Sequence, residues 1–209
     1  MGITYNPELP AGCVWKADPG YRKFPPDTTF TGDPTTIGTS PTNHMIFTGN
    51  TGDQTIEIPQ ITMSAFTMCY FFYHPSATTN DMTFGNKNDN GSRFYHRDSG
   101  AAYRIRVHNS ASVSVGDLVI PNGQDKWNWI AYGMEDGARK AWTNDTLSIN
   151  TTTSDSTGFV LNNFGSPYAS GPNTYHWPGY LGPLHVFNRL LTDDEASYVF
   201  NLNKASYGL

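Results

Sequence analysis

The chain has 209 residues, a net charge of -5 and only 15% charged residues, with 12 Phe, 12 Tyr and 5 Trp. That length builds one large core without staples, the aromatic content suits pleated strands, and an acidic balance lacking Lys/Arg clusters speaks against a nucleic-acid partner. No apolar run is long enough to cross a bilayer, the N-terminus lacks the basic-then-apolar pattern of a secretory signal, and Cys13 and Cys69 are too few for a disulfide framework.

The first forty residues differ from the rest. Pro7, Pro10, Pro19, Pro25, Pro26, Pro34 and Pro41 make up half of the 14 prolines. Proline removes a ladder donor and fixes φ, so this stretch cannot supply central strands. The expectation is an extended N-terminal arm over 1–42, packed along its own domain or a neighbour, followed by a domain over 43–209. Val14, Trp15, Tyr21, Phe24 and Phe30 are too many apolar groups for a solvated tail.

Strand grammar then begins. HMIFTGN and QTIEIPQ are short strands around a Gly/Asn turn, and SAFTMCYFFYHP, ending at Pro75, is the strongest strand pattern in the chain. Within it Cys69 reads as a small buried hydrophobe. AYRIRVHN alternates, with Tyr103, Ile105 and Val107 on one side and Arg104 and Arg106 on the other. KWNWIAYGM and RKAWTND flank Asp136-Gly137, a strong hairpin signal. GFVLNNFG follows, then a long loop. The segment from Gly179 reads as a strand covered on both faces, because apolar residues occupy both parities. Thr192 and Glu195 then form a capping box, with Asp193 and Asp194 suiting the first turn of a helix. About ten short strands with regular turns predict a sandwich or barrel.

Four of these segments, in order, carry a resemblance. MIFTGNTGDQTIEIP, FTMCYFFYHP, WNWIAYGMEDGARKAWTND and GYLGPLHVFNRLLTDDEASYVFN resemble the concanavalin A-like lectin/glucanase superfamily, in its laminin G-like and pentraxin-like branch. The resemblance covers about Asn43 to Asn203. It implies an all-β, antiparallel jelly-roll β-sandwich with one short C-terminal helix. Asn144-Asp145 stands where that family often has Asp-Gly, and Gly182-Pro183 where it often has acids, which weakens transfer of a metal site.

Catalysis finds no support in the residues. The family's glucanases need two carboxylates about 5 Å apart, and Glu8, Glu57, Glu135 and Glu195 are isolated in sequence. The histidines form no metal-protease spacing, and neither a nucleophile elbow nor a phosphate loop occurs. The expectation is a protein that is not an enzyme.

Two loops could bind something. Asn88, Asp89, Asn90 and Asp98 offer oxygen ligands for a calcium ion, or form a solvated turn built from the usual turn residues. Tyr168, Tyr175, His176, Trp177 and Tyr180 crowd a Gly/Pro loop, where with Asn173 they would make a carbohydrate-binding platform, or pack over one end of the sandwich or against another subunit. The four arginines Arg93, Arg97, Arg104 and Arg106 read as a solvated sheet face, since Asp89 and Asp98 are near in sequence.

A compact, cysteine-poor chain with a lectin-like module behind a proline-rich arm suggests a viral structural protein: a decoration, fibre or tail-associated subunit of a bacteriophage virion. Its partners would be capsid or tail proteins held through the arm, glycans of the host or environment, and copies of itself in a homo-oligomer such as a trimer. Its place would be the virion surface. The other reading is a secreted or surface carbohydrate-binding lectin module.

Overall fold

The computed structural model describes residues 8–17, 27–31, 35–39, 42–48, 55–75, 81–86, 91–98, 103–112, 114–152, 158–165 and 177–209. They form two antiparallel sheets packed face to face, a jelly-roll sandwich with one short helix on its outside. In chain order the strands are β1 (Cys13–Ala17), β2 (Thr29–Thr31), β3 (Thr35–Thr39), β4 (Thr42–Thr48), β5 (Thr55–Met63), β6 (Phe66–Tyr73), β7 (Asp81–Gly85) and β8 (Arg93–Asp98). They continue as β9 (Tyr103–His108), β10 (Ser114–Ile120), β11 (Trp127–Glu135), β12 (Ala138–Thr143), β13 (Thr146–Thr152), β14 (Phe159–Phe164) and β15 (Pro178–Phe187), followed by helix α1 (Asp193–Asn201).

One sheet runs β13-β12-β11-β6-β15-β4-β3, with β1 also paired to β15; the other runs β10-β9-β8-β7-β14-β5-β2. Every described pairing is antiparallel, from β6 against β11 to β8 against β9. The inner faces meet in one core. Met68, Tyr70 and Phe72 of β6 lie there with Phe84, Phe94, Ile105, Tyr132, Phe159 and Val186. Alternation along β9 places Tyr103, Ile105 and Val107 inward and leaves Arg104 and Arg106 half-buried on the outer face, as the period of two requires.

The expected boundary at residue 42 does not separate an arm from a domain. β1 pairs with β15, β2 with β5, and β3 with β4, so the proline-rich region belongs to both sheets. Trp15 stacks on Phe164 with ring centroids 5.1 Å apart, and Trp15 and Ala17 are core residues. The proline argument holds in a narrower form. β2 and β3 end their sheets and β1 lies off the main strand path, so none is a central strand. In sequence none of the seven prolines falls within β1, β2 or β3.

The turns follow their chemistry. Asp136 and Gly137 join β11 to β12 with φ of 47° and 78°, and Asn144 and Asp145 join β12 to β13 with φ of 45° and 70°. Both are two-residue loops with positive φ at each position, the kind that matches strand twist. Helix α1 carries the full capping box: the Thr192 side chain accepts from the Glu195 backbone N–H, and the Glu195 side chain accepts from the Thr192 backbone N–H. Ala196, Val199 and Phe200 of the helix pack with Cys69, Phe71, Trp129 and Phe187, which point out of the first sheet. β15 is therefore apolar on both parities because it is covered by the core on one side and by the helix on the other. Cys13 and Cys69 are free thiols, and burial pushes Cys69 well above the ordinary thiol range.

Candidate functional site

Trp177 does not stand on the surface. Its ring is fully buried, 4.4 Å from the His96 ring and 4.9 Å from the His74 ring, centroid to centroid. Its backbone N–H donates to the Gly165 carbonyl at 2.8 Å, which ties the start of β15 to the end of β14. The expectation of a sugar platform at Trp177 is thus corrected: a ring with no exposed area cannot stack on a ligand. Tyr168, Asn173, Tyr175 and His176 lie outside the described residues, as do Asn88, Asp89, Asn90 and the side chain of Asp98.

Around Trp177 the core holds polar groups. His96 Nε2 lies 2.9 Å from the Tyr70 hydroxyl and its Nδ1 lies 2.5 Å from the Tyr103 hydroxyl. Burial, and then His74, hold the His96 pKa well below the ordinary imidazole value. The ring is neutral, with one nitrogen donating and the other accepting. Both His96 nitrogens are partnered, while the Trp177 indole N–H has no partner among the described residues; the buried rings brace the core. The carboxylates near the helix are also structural. Glu195 accepts from Arg189 at 2.6 and 2.8 Å, and Asp193 from Lys140 at 2.9 Å. Among the described residues no group of three or more His, Cys, Asp or Glu side chains could hold a metal ion.

A different set of rings does reach the surface. Trp127 of β11, Tyr73 of β6 and Tyr180 of β15 are register partners in one row across three adjacent strands. All three are half-buried. Tyr73 and Tyr180 stack with centroids 4.9 Å apart and planes 19° apart, and Trp127 lies 6.0 Å from Tyr73 at 65°. Tyr207 braces the far side of Trp127 at 4.6 Å.

Helix α1 stops short of this row for a dimensional reason. A nine-residue helix is about 13 Å long, whereas strands of eight to ten residues run about 26–33 Å. The helix covers Cys69 and Phe71 and stops short of Tyr73. Polar character adjoins the rings. Asp125, with φ of 53°, donates its backbone N–H to the His74 carbonyl at 2.9 Å. Partial burial, then the Asp125 carboxylate, then Tyr180 raise the Tyr73 hydroxyl above its usual pKa. An apolar platform with a carboxylate beside it can stack on a sugar face and accept from its hydroxyls.

Tyr180 was visible in the aromatic loop before β15, but Tyr73 and Trp127 were not marked. Their signal is parity: each shares the helix-facing parity of its strand, one step past the residues that the helix can reach.

No family model and no curated protein matches the sequence. Solved structures do match in shape. Domain 4 of AbnA, an extracellular arabinanase from Geobacillus stearothermophilus solved with arabinotriose, superposes with a TM-score of 0.63 at 15% identity, over 82% of this chain and 87% of that one. A pentraxin from Limulus polyphemus, heptameric and SAP-like, gives 0.56 at 18%, over 74% and 79%. The binding domain of botulinum neurotoxin serotype G gives 0.68 at 12%, over 92% of this chain. The chain shares the jelly-roll β-sandwich fold of these structures. It spans about half the length of the toxin binding domains that it matches.

Proposed function

We propose that this protein is a non-catalytic carbohydrate-binding module whose platform is the row Trp127–Tyr73–Tyr180. The observation that carries the reading is three half-exposed rings in register on the part of the sheet that the helix leaves uncovered. The arabinotriose complex of the AbnA domain supports it from the side of the fold. The carboxylates near α1 are held in a cap and ion pairs, which suits a binding role better than hydrolysis.

The expectation of a virion subunit drew on a free proline-rich arm. β1, β2 and β3 lie in the sandwich, so that support falls away, and the lectin-module reading is the one kept. The test is a glycan array followed by titration calorimetry. Wild type should bind at least one oligosaccharide, and Tyr180→Ala should weaken it by about tenfold or more, about 1.4 kcal/mol, while the variant keeps a cooperative unfolding transition. A folded wild type that binds no glycan overturns the reading.

A further inference from the structure

The three half-buried rings of the aromatic row stand closer together than their strands do. Trp127 and Tyr180 lie on β11 and β15, which flank β6, so their backbones are two strand spacings apart, about 9–10 Å. Their ring centroids are 6.2 Å apart, so the outer two side chains lean toward each other. With 6.0 Å from Trp127 to Tyr73 and 4.9 Å from Tyr73 to Tyr180, the rings close into a compact triangle. Their planes differ as well. Tyr73 and Tyr180 are close to parallel, at 19°, but Trp127 is inclined by 65° to one and 46° to the other. A linear chain laid flat stacks on rings that face the same way, whereas these three make a corner.

Among the described residues nothing lengthens the triangle. Beyond Trp127 there is no flanking strand, because the ladder between β11 and β12 starts at Ile130. Beyond Tyr180 the register partner on β4 is Ile46, which carries no ring. Along the strands, Tyr207 closes the side toward helix α1. It stacks on Phe71 at 4.4 Å and 20°, and its ring meets Trp127 at 4.6 Å. Tyr207 keeps that seat because position 182 is glycine: a Cβ there would meet the Tyr207 hydroxyl oxygen at 2.7 Å. On the other side Tyr73 is followed by His74, whose carbonyl accepts from the backbone of the exposed Asp125.

We propose, resting on the carbohydrate-binding reading, that the platform takes a single sugar unit and not a run of a linear polysaccharide. A triangle with sides of 4.9 to 6.2 Å is comparable with one sugar ring. The apolar face of that unit lies on the rings, and its hydroxyls reach the carboxylate beside them. Further units of the same chain have no ring beneath them and add little affinity.

The experiment uses the linear glycan that binds best on the array. Titration calorimetry compares the methyl glycoside of its terminal unit with its di-, tri- and hexasaccharides. Affinity should change by less than about tenfold from the glycoside to the hexasaccharide. The folded Tyr180→Ala protein should lose the same factor for both, because both rest on the same rings. A gain of about tenfold or more with chain length overturns the proposal, as does a Tyr180→Ala loss confined to the longer ligands. In either case Tyr180-dependent binding leaves the platform itself standing. A folded wild type that binds no glycan at all overturns the platform reading, and this proposal with it.

Discussion

Tyr73 and Tyr180 stack at 4.9 Å from adjacent strands of the first sheet, past the residues that helix α1 packs against. Stacked pairs of this kind contribute about 0.5–1.5 kcal/mol beyond area burial. A double-mutant cycle of Tyr73→Ala and Tyr180→Ala, read by urea unfolding, should give a coupling energy in that range. For ligand binding the two should couple more strongly, because either loss breaks the platform.

Trp177→Ala should act on stability. The ring packs against Phe72, His74 and His96 and is fully buried. Emptying such a site costs about 3–5 kcal/mol, which urea denaturation would read as a lower midpoint. A variant as stable as wild type would place Trp177 outside the core.

Stability should fall with acid between pH 6.5 and about 4. Burial lowers the pKa of His96 well below 6.5 and, with Lys16 adding to the effect, that of His185 to about 4. Below pH 6.5 the unfolded chain binds protons that these folded imidazoles refuse, so protons favour unfolding. The contribution is fully present above 6.5 and is lost as pH falls toward 4. Thermal melts across this window should show the decline, and His185→Gln should make it shallower.

The helix cap adds a second, lower window. Arg189, first of all, holds Glu195 down to about 2 from 4.5, helped by the Thr192 backbone. For a depressed carboxylate the stabilisation is present above pH 4.5 and is lost as pH falls through about 2. Glu195→Gln should flatten the melting temperature over that range. Thr192→Ala should cost about 1 kcal/mol at neutral pH through the lost cap.

How much of this was legible depends on whether the chemistry was local. The Asp136-Gly137 hairpin and the Thr192–Glu195 cap are set by a few adjacent residues, and both stand as read. The two-sided cover of β15 was legible because its apolar residues occupy both parities. The strands β1 to β3 were missed because prolines between short segments look the same whether the segments pair or not; only the long-range partners β15, β5 and β4 decide it. Trp177 was misplaced because a Gly/Pro-rich loop reads as surface, while its backbone bond to Gly165 turns it inward. The outward face of Arg104 and Arg106 was legible from the alternation along β9 alone.

Deleting residues 1–17 gives the sharpest test of the N-terminal region. The cut removes Trp15 and Ala17 from the core and exposes the β15 edge that β1 covers. The truncated chain should lose its cooperative thermal transition or show a much lower midpoint. A shortened chain that melts like wild type would mean that this region is an accessory.

The place of β15 also has a consequence for synthesis. This strand lies between β6 and β4, so the first sheet has a gap at its centre until Pro178–Phe187 has been made. Long-range strand pairing is intrinsically slow, and open edges invite pairing with other chains. On the ribosome, β6 and β4 must wait with bare edges for most of translation. The closing strand is therefore the step at which a nascent chain commits to this fold or to aggregation.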